Sequence, residues 1–150
     1  LGGAEALFDE TRQFLHSLGR TQDPYQEERL GKMAIAIESG NLWLRGAADL
    51  IVEYAPMFAG SPMVDHAESQ KLVAYTNMVR SAIEQSCMDV MQLCERSVGT
   101  RGLLPPTPIE RIIRDLTLYL RQPAFDAAFA NVGQYALIQT DPVECLWRHE

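Results

Sequence analysis

The residue types that could do chemistry are thinly spread along this chain. Its three histidines, His16, His66 and His149, lie far apart. None is four residues from another and none belongs to a His-Glu-x-x-His step, so no zinc ligand set can be read from them. The Glu-x-x-His pairs that a di-iron bundle needs on facing helices do not occur. Neither a Gly-x-Ser-x-Gly elbow nor a Gly-x-x-x-x-Gly-Lys phosphate loop is present. Cys87, Cys94 and Cys145 are odd in number and form no Cys-x-x-Cys pair, which points to free thiols in a reducing compartment. On a helix, seven residues separate Cys87 from Cys94 on one face with Ile83, Val90 and Met91, so both are expected as small buried apolar residues. The residues thus predict no metal site and no self-contained catalytic site.

The elements that would position any site are helices. Between Cys94 and Asp115 one long apolar-periodic segment ends and another begins. Gly99 and Gly102 supply backbone freedom just past the last periodic residues. Pro105, Pro106 and Pro108 forbid continuation, making a stiff elbow. Thr107 followed by Glu110 three residues later predicts a capping box ahead of Ile112, Ile113, Leu116 and Leu120. Upstream, a first helix is expected over Ala4 to Leu18. Asp23-Pro24 caps and opens a second helix to about Ala55, with an inward stripe of Leu30, Met33, Ile37, Leu44, Ala48 and Ile51. Gly40 and Gly46 inside it predict close approach of a neighbour or a bend. A third helix, about Val64 to Val98, carries Tyr75, Val79, Ala82, Ile83, Cys87, Val90, Met91 and Cys94 inward and must lie antiparallel to the second. A fourth covers Ile109 to about Arg121, and Phe125, Ala128, Phe129, Val132 and Ala136 mark a fifth. From Thr140 onward no period is evident. No segment alternates as a strand does. The expectation is an all-α, up-and-down helical bundle with four main helices, forming a single domain over residues 1–150.

At 150 residues the chain is long enough for one sizeable core. Twenty acidic residues against thirteen basic ones give a formal charge of −7, and no basic stripe is interleaved with aromatics. That balance argues against nucleic acid or an anionic membrane as a partner. No apolar run approaches the ~18 residues of a membrane span, and the expected location is cytoplasmic. The Leu1-Gly2-Gly3 start suggests a piece of a longer chain.

The long helix, the Gly-x-x-Gly turn and the following Pro108-Ile109-Glu110-Arg111-Ile112-Ile113-Arg114-Asp115 step resemble the C-terminal helical domain of the acyl-CoA dehydrogenase family. The order of elements is similar over nearly the whole chain, and the diagnostic residues are confined to about Arg96 to Asp115. The resemblance implies that the parent binds FAD, dehydrogenates an acyl-CoA thioester at its α and β carbons, and assembles as a homodimer or dimer of dimers through this domain. It implies a cofactor turn at Arg96-Ser97-Val98-Gly99-Thr100-Arg101-Gly102, where the family has Gln-x-x-Gly-Gly-x-Gly. Gly99 and Gly102 suit close backbone approach to a phosphate or ribose, although they could equally make only a helix C-cap and turn. Arg96 replaces the family's glutamine and Thr100 its second glycine. Arg20 is a loose equivalent of the arginine in an Arg-x-x-Phe-Gly stretch. The implied cofactor residues are therefore Arg96, Gly99, Thr100, Gly102 and Arg20.

The sequence departs from the family at the catalytic base. Leu120-Arg121-Gln122-Pro123 stands where a glutamate would precede a Gly-Thr pair, and the nearest carboxylate, Asp126, is about a helical turn away. Removing an α-proton needs a base within about 3 Å. No catalytic residue is assigned. Arg111, Arg114 and Asp115 are expected to form interface or intrachain ion pairs. The isolated chain should be inactive and hold FAD weakly or not at all. Two other readings stand beside the dehydrogenase: a non-catalytic oligomerisation module, and a flavin monooxygenase of the same fold, which would not need that glutamate.

Overall fold

A computed structural model describes residues 1–60, 66–121 and 125–147, with no strand among them. The helices are α1 (Gly2–Ser17), α2 (Pro24–Gly60), α3 (His66–Gly102), α4 (Ile109–Leu120), α5 (Phe125–Ile138) and the single turn α6 (Val143–Leu146). The expected helices are all present. The fifth is as substantial as the fourth, so the count exceeds four main helices among the described residues.

Contacts divide the chain into two compact units. The first comprises Leu1–Leu42 and Ile83–Gln122 and contains the principal core. Ala4, Leu7, Met33, Cys87, Val90, Cys94, Val98, Ile109 and Leu116 are its buried members. Here α1 lies on α4 so closely that a Cβ on Gly3 would sit 3.3 Å from Leu116 Cδ1. The strands of contact between α2 and α3 run in opposite directions: Gln26 meets Ser97, while Ser39 and Ser86 share a groove further along. Thr11 Oγ1 donates to Leu7 O at 2.6 Å and lies 3.1 Å from Cys94 Sγ.

Burial raises the Cys94 thiol above the ordinary range, against the opposing Thr11 contact, and burial likewise raises Cys87. Cys145 is exposed. A thiol reagent at about pH 8 should therefore label one cysteine rapidly in the native chain and all three after denaturation, since the thiolate is the reactive form. Rapid native labelling of two or three would contradict the packing around Thr11.

The second unit comprises Trp43–Ala82 and Pro123–Glu150. Its buried residues include Ala47, Leu50, Tyr54, Ala74, Val79 and Ala128. The α2 and α3 segments again run antiparallel, with Trp43 beside Tyr75 and Tyr54 hydrogen-bonded to Glu68. Burial first, and then that carboxylate, hold the Tyr54 phenol well above its ordinary value. Trp147 joins Tyr75 and Tyr135 with ring centroids 6.3 Å and 5.3 Å away.

The expected stripe of α2 is corrected in this unit. Leu30, Met33 and Ile37 face inward as read, but Leu44, Ala48 and Ile51 are exposed and Ala47, Leu50 and Tyr54 are buried instead. Met33, Gly40, Ala47 and Tyr54 recur every seven residues. A strict seven-residue repeat drifts by about 20° per heptad around a straight helix, so a stripe drawn at 3.6 residues per turn slips off the contact line. The glycines meet the expectation of close approach. A Cβ would fall 2.6 Å from Tyr75 Oη at Gly46 and 2.8 Å from Leu1 Cδ1 at Gly40.

Candidate functional site

Two helix ends in the first unit build a cleft. At the end of α1, Gly19 takes φ 64°. Its N–H bonds His16 O at 3.0 Å and the Arg20 N–H bonds Leu15 O at 3.0 Å. This 5→2 and 6→1 pair is a Schellman closure, which needs glycine at the left-handed position. It places Arg20 directly beyond the helix. Asp23 then caps α2 as expected: its Oδ1 accepts from Tyr25 N at 3.0 Å, and its carbonyl accepts from Gln26 N at 2.9 Å and Glu27 N at 3.0 Å. The same side chain accepts from Arg20 Nη2 at 2.6 Å. Hydrogen bonding to Arg20 is the main cause that holds the Asp23 carboxyl below the usual range.

The second helix end is that of α3. Gly99 has φ 58° and ψ −165°, which takes the backbone out of the helix. That region is essentially restricted to glycine. Gly102 is a different case. It is buried, and a Cβ there would fall 2.2 Å from Val98 Cβ. Its absent side chain permits local packing.

Arg20, Gly99 and Thr100 are brought together by these two ends. With Phe14, Leu18, Val98 and Arg101 they line an open cleft of about 480 Å³. Arg96 does not line it. It sits three residues before the break, where the helix turn carries it to the face of Asp89, Gln92 and Leu93 in the α2–α3 groove. Of the five cofactor residues implied by resemblance, three therefore converge, one packs under the turn and one faces elsewhere. Arg101, Phe14 and Leu18 were missed. Arg101 had a signal as the second cation of the turn beside Arg96, whereas Phe14 and Leu18 have the four-residue spacing of ordinary core positions.

The expected capping box does not form. Pro108 is the N-cap of α4 and makes no side-chain cap bond. Thr107 Oγ1 turns back instead, donating to the Gly102 carbonyl and lying 3.2 Å from Leu104 O. Closing the elbow behind the glycine turn uses the hydroxyl that capping would need. Glu110, freed from the box, pairs with Arg114 Nη1 at 3.3 Å.

A family model described as acyl-CoA dehydrogenase, C-terminal domain, matches residues 1–122. The chain belongs to that family. Dibenzothiophene monooxygenase from Mycolicibacterium goodii is 22% identical over 153 aligned residues, which cover 95% of this chain and 36% of that relative. The chain thus spans about a third of the relative's length. No solved structure matches the chain.

For an acyl-CoA dehydrogenase family member, the group to test against the cleft is a flavin nucleotide. The residues fit its phosphate-bearing part. Nothing lies within 4 Å of where a Gly99 Cβ would project, so the backbone can be approached closely there. Arg20, Arg101 and the Thr100 hydroxyl supply donors, and Phe14 and Leu18 supply an apolar wall. At the base position, Leu120 and Arg121 offer no carboxylate, and Gln122 and Pro123 lie outside the described residues. Asp126 is exposed on α5. Among the described residues no three of His, Cys, Asp and Glu converge as a metal site would require. Arg111 pairs with Asp115 at 3.6 Å on the exposed face of α4, which makes it an intrachain ion-pair residue, like Arg114. No helix among the described residues is long and apolar enough to cross a membrane.

Proposed function

We propose that this domain forms one wall of the FAD site of a longer flavin-dependent oxidoreductase, and that the parent's reaction is a monooxygenation. The observation that carries the flavin reading is the convergence of Arg20, Gly99 and Thr100 on one cleft from two separate helix ends. The guanidinium groups of Arg20 and Arg101 neutralise phosphate charge, the Gly99 turn admits the ligand to the backbone, and Phe14 and Leu18 exclude water from one side. Bound reduced flavin would supply the two electrons with which dioxygen is divided between product and water.

Two observations favour oxygenation. Leu120 and Arg121 hold no base for α-proton removal, and a monooxygenase aligns along 95% of the chain. The second reading, α,β-dehydrogenation of an acyl-CoA, is supported by the family itself and would need its base from another segment of the parent. In either case the parent acts as a homo-oligomer, a reading supported by exposed Phe129, Leu137 and Val143 in the second unit.

The test is a flavin spectrum of the full-length protein, followed by two additions. Substrate-dependent consumption of dioxygen by the reduced protein, with one oxygen atom found in the product, is the expected result. Anaerobic bleaching by an acyl-CoA would instead establish dehydrogenation. A protein purified and titrated without any flavin uptake would leave the non-catalytic module as the correct account.

A further inference from the structure

The cleft residues do not hold the Gly99 turn in place by themselves. α3 leaves helical geometry at Gly99, and the carbonyls of the turn before it are acceptors that side-chain donors can meet. Two side chains from the start of α2 reach them. Arg29 Nη1 donates to Arg96 O at 3.0 Å, and Gln26 Nε2 approaches Ser97 O at 3.5 Å. These are the third and second residues before Gly99. Gln26 is 3% exposed although it is fully polar, and its Oε1 has no partner among the described residues. Burying an amide so incompletely satisfied carries a cost, which makes its retention at this spot informative. Arg29 adds a cation at the C-terminal, negative end of the helix, where both its charge and its fork of donors are favourable.

We infer that Arg29, with Gln26 beside it, is a positioning residue that clamps the end of α3 and thereby sets the Gly99–Thr100 backbone for its ligand. The two clamp residues are three apart on α2 and so lie on one face, one turn beyond the Asp23 cap that also holds Arg20. A single short stretch, Asp23 to Arg29, therefore fixes both halves of the cleft: Arg20 through the Asp23 carboxylate, and the glycine turn through Arg29. The identity of the ligand as a flavin rests on the function proposed above. The clamp does not.

The experiment compares the full-length protein with its Arg29→Met and Arg29→Lys variants, using peptide-resolved amide hydrogen exchange over residues 97–102 together with flavin titration. Arg29→Met keeps an apolar stem but removes the donors. It should speed exchange in that peptide about tenfold while peptides from α1 and α4 stay within about twofold of the wild type. It should also weaken flavin binding by about fivefold or more, and Arg29→Lys, which keeps a donor and the charge, should recover most of both effects. Unchanged exchange in Arg29→Met overturns the clamp. Faster exchange with unaltered flavin affinity overturns the claim that the clamp serves the ligand. Faster exchange in a protein that takes up no flavin even as wild type supports the clamp and sinks the flavin reading instead.

Discussion

Replacing Gly99 with alanine should destabilise the chain by about 2 kcal/mol and weaken flavin binding by the full-length protein about tenfold or more. The cause is conformational, since a Cβ at Gly99 would meet nothing within 4 Å while the backbone sits at φ 58°, ψ −165°. Alanine can be accommodated there only with strain, or by moving the turn toward ordinary helix. Movement would redirect the Thr100 and Arg101 side chains that line the cleft beside Arg20. Residual strain is read as a lower denaturation midpoint and movement of the turn as weaker flavin binding, and the variant is expected to show a share of each. Chemical denaturation of the chain and flavin titration of the parent, run on the same variant, read both. A stability loss below about 0.5 kcal/mol together with unchanged flavin affinity would show that the left-handed turn is dispensable. Gly102→Ala is a poor control, because its Cβ would collide with Val98.

The largest purely structural effect is expected at Leu7. It is fully buried, belongs to the core cluster with Met33, Cys94, Val98 and Ile109, and its carbonyl accepts from the buried Thr11 hydroxyl. Leu7→Ala should cost about 3–4 kcal/mol, the sum of lost transfer free energy and the cavity left behind. Collapse of that cavity is hindered because α1 is held against α4, with Gly3 in contact with Leu116. For a chain of this size such a loss lowers the thermal midpoint by on the order of 10 °C. Leu118, 67% exposed on α4, is the matched comparison, and Leu118→Ala should stay within about 0.5 kcal/mol of the unaltered sequence. Equal losses at the two positions would mean that the first-unit core is not where the structure puts it.

Much of the local architecture was legible from residue order. Helix starts and stops follow from chemistry that acts within a few residues. Asp23 caps α2 because its carboxylate reaches the Tyr25 N–H two residues on, and Gly99 ends regular α3 because only glycine tolerates its dihedral angles. Thr107 shows the limit of that logic. A short-range rule assigned its hydroxyl to α4, while the carbonyl of Gly102, brought close by the elbow, took it instead. The α2 stripe failed for a related reason. Leu44, Ala48 and Ile51 fit a straight helix, but the line of contact follows a seven-residue repeat that only the partner helix imposes.

The candidate site divides in the same way. Gly99, Thr100 and Arg20 were named through a family resemblance, and they do meet, although 79 residues separate Arg20 from Gly99. Arg96 lay in the same motif and faces another groove, because it still belongs to the regular helix, on the face of Gln92 and Leu93, whereas the backbone leaves that helix at Gly99. Arg29 and Gln26 carried no signal at all, since an arginine and a glutamine near the start of an exposed helix look like ordinary solvated residues.

By itself, then, the sequence determined the all-α class, the helix ends at Asp23 and Gly99, and the membership that its Gly-x-x-Gly and Glu-Arg-x-x-Arg-Asp steps announce. Those properties rest on dihedral limits, capping and periodicity, which are local and act at fixed spacing. Tertiary structure alone decided which face of α2 is buried, that Thr107 closes an elbow and does not cap a helix, and that Arg20 shares a cleft with Gly99. Those outcomes depend on where distant carbonyls and side chains come to rest once α2 lies against α3, and no rule of short sequence spacing encodes that distance.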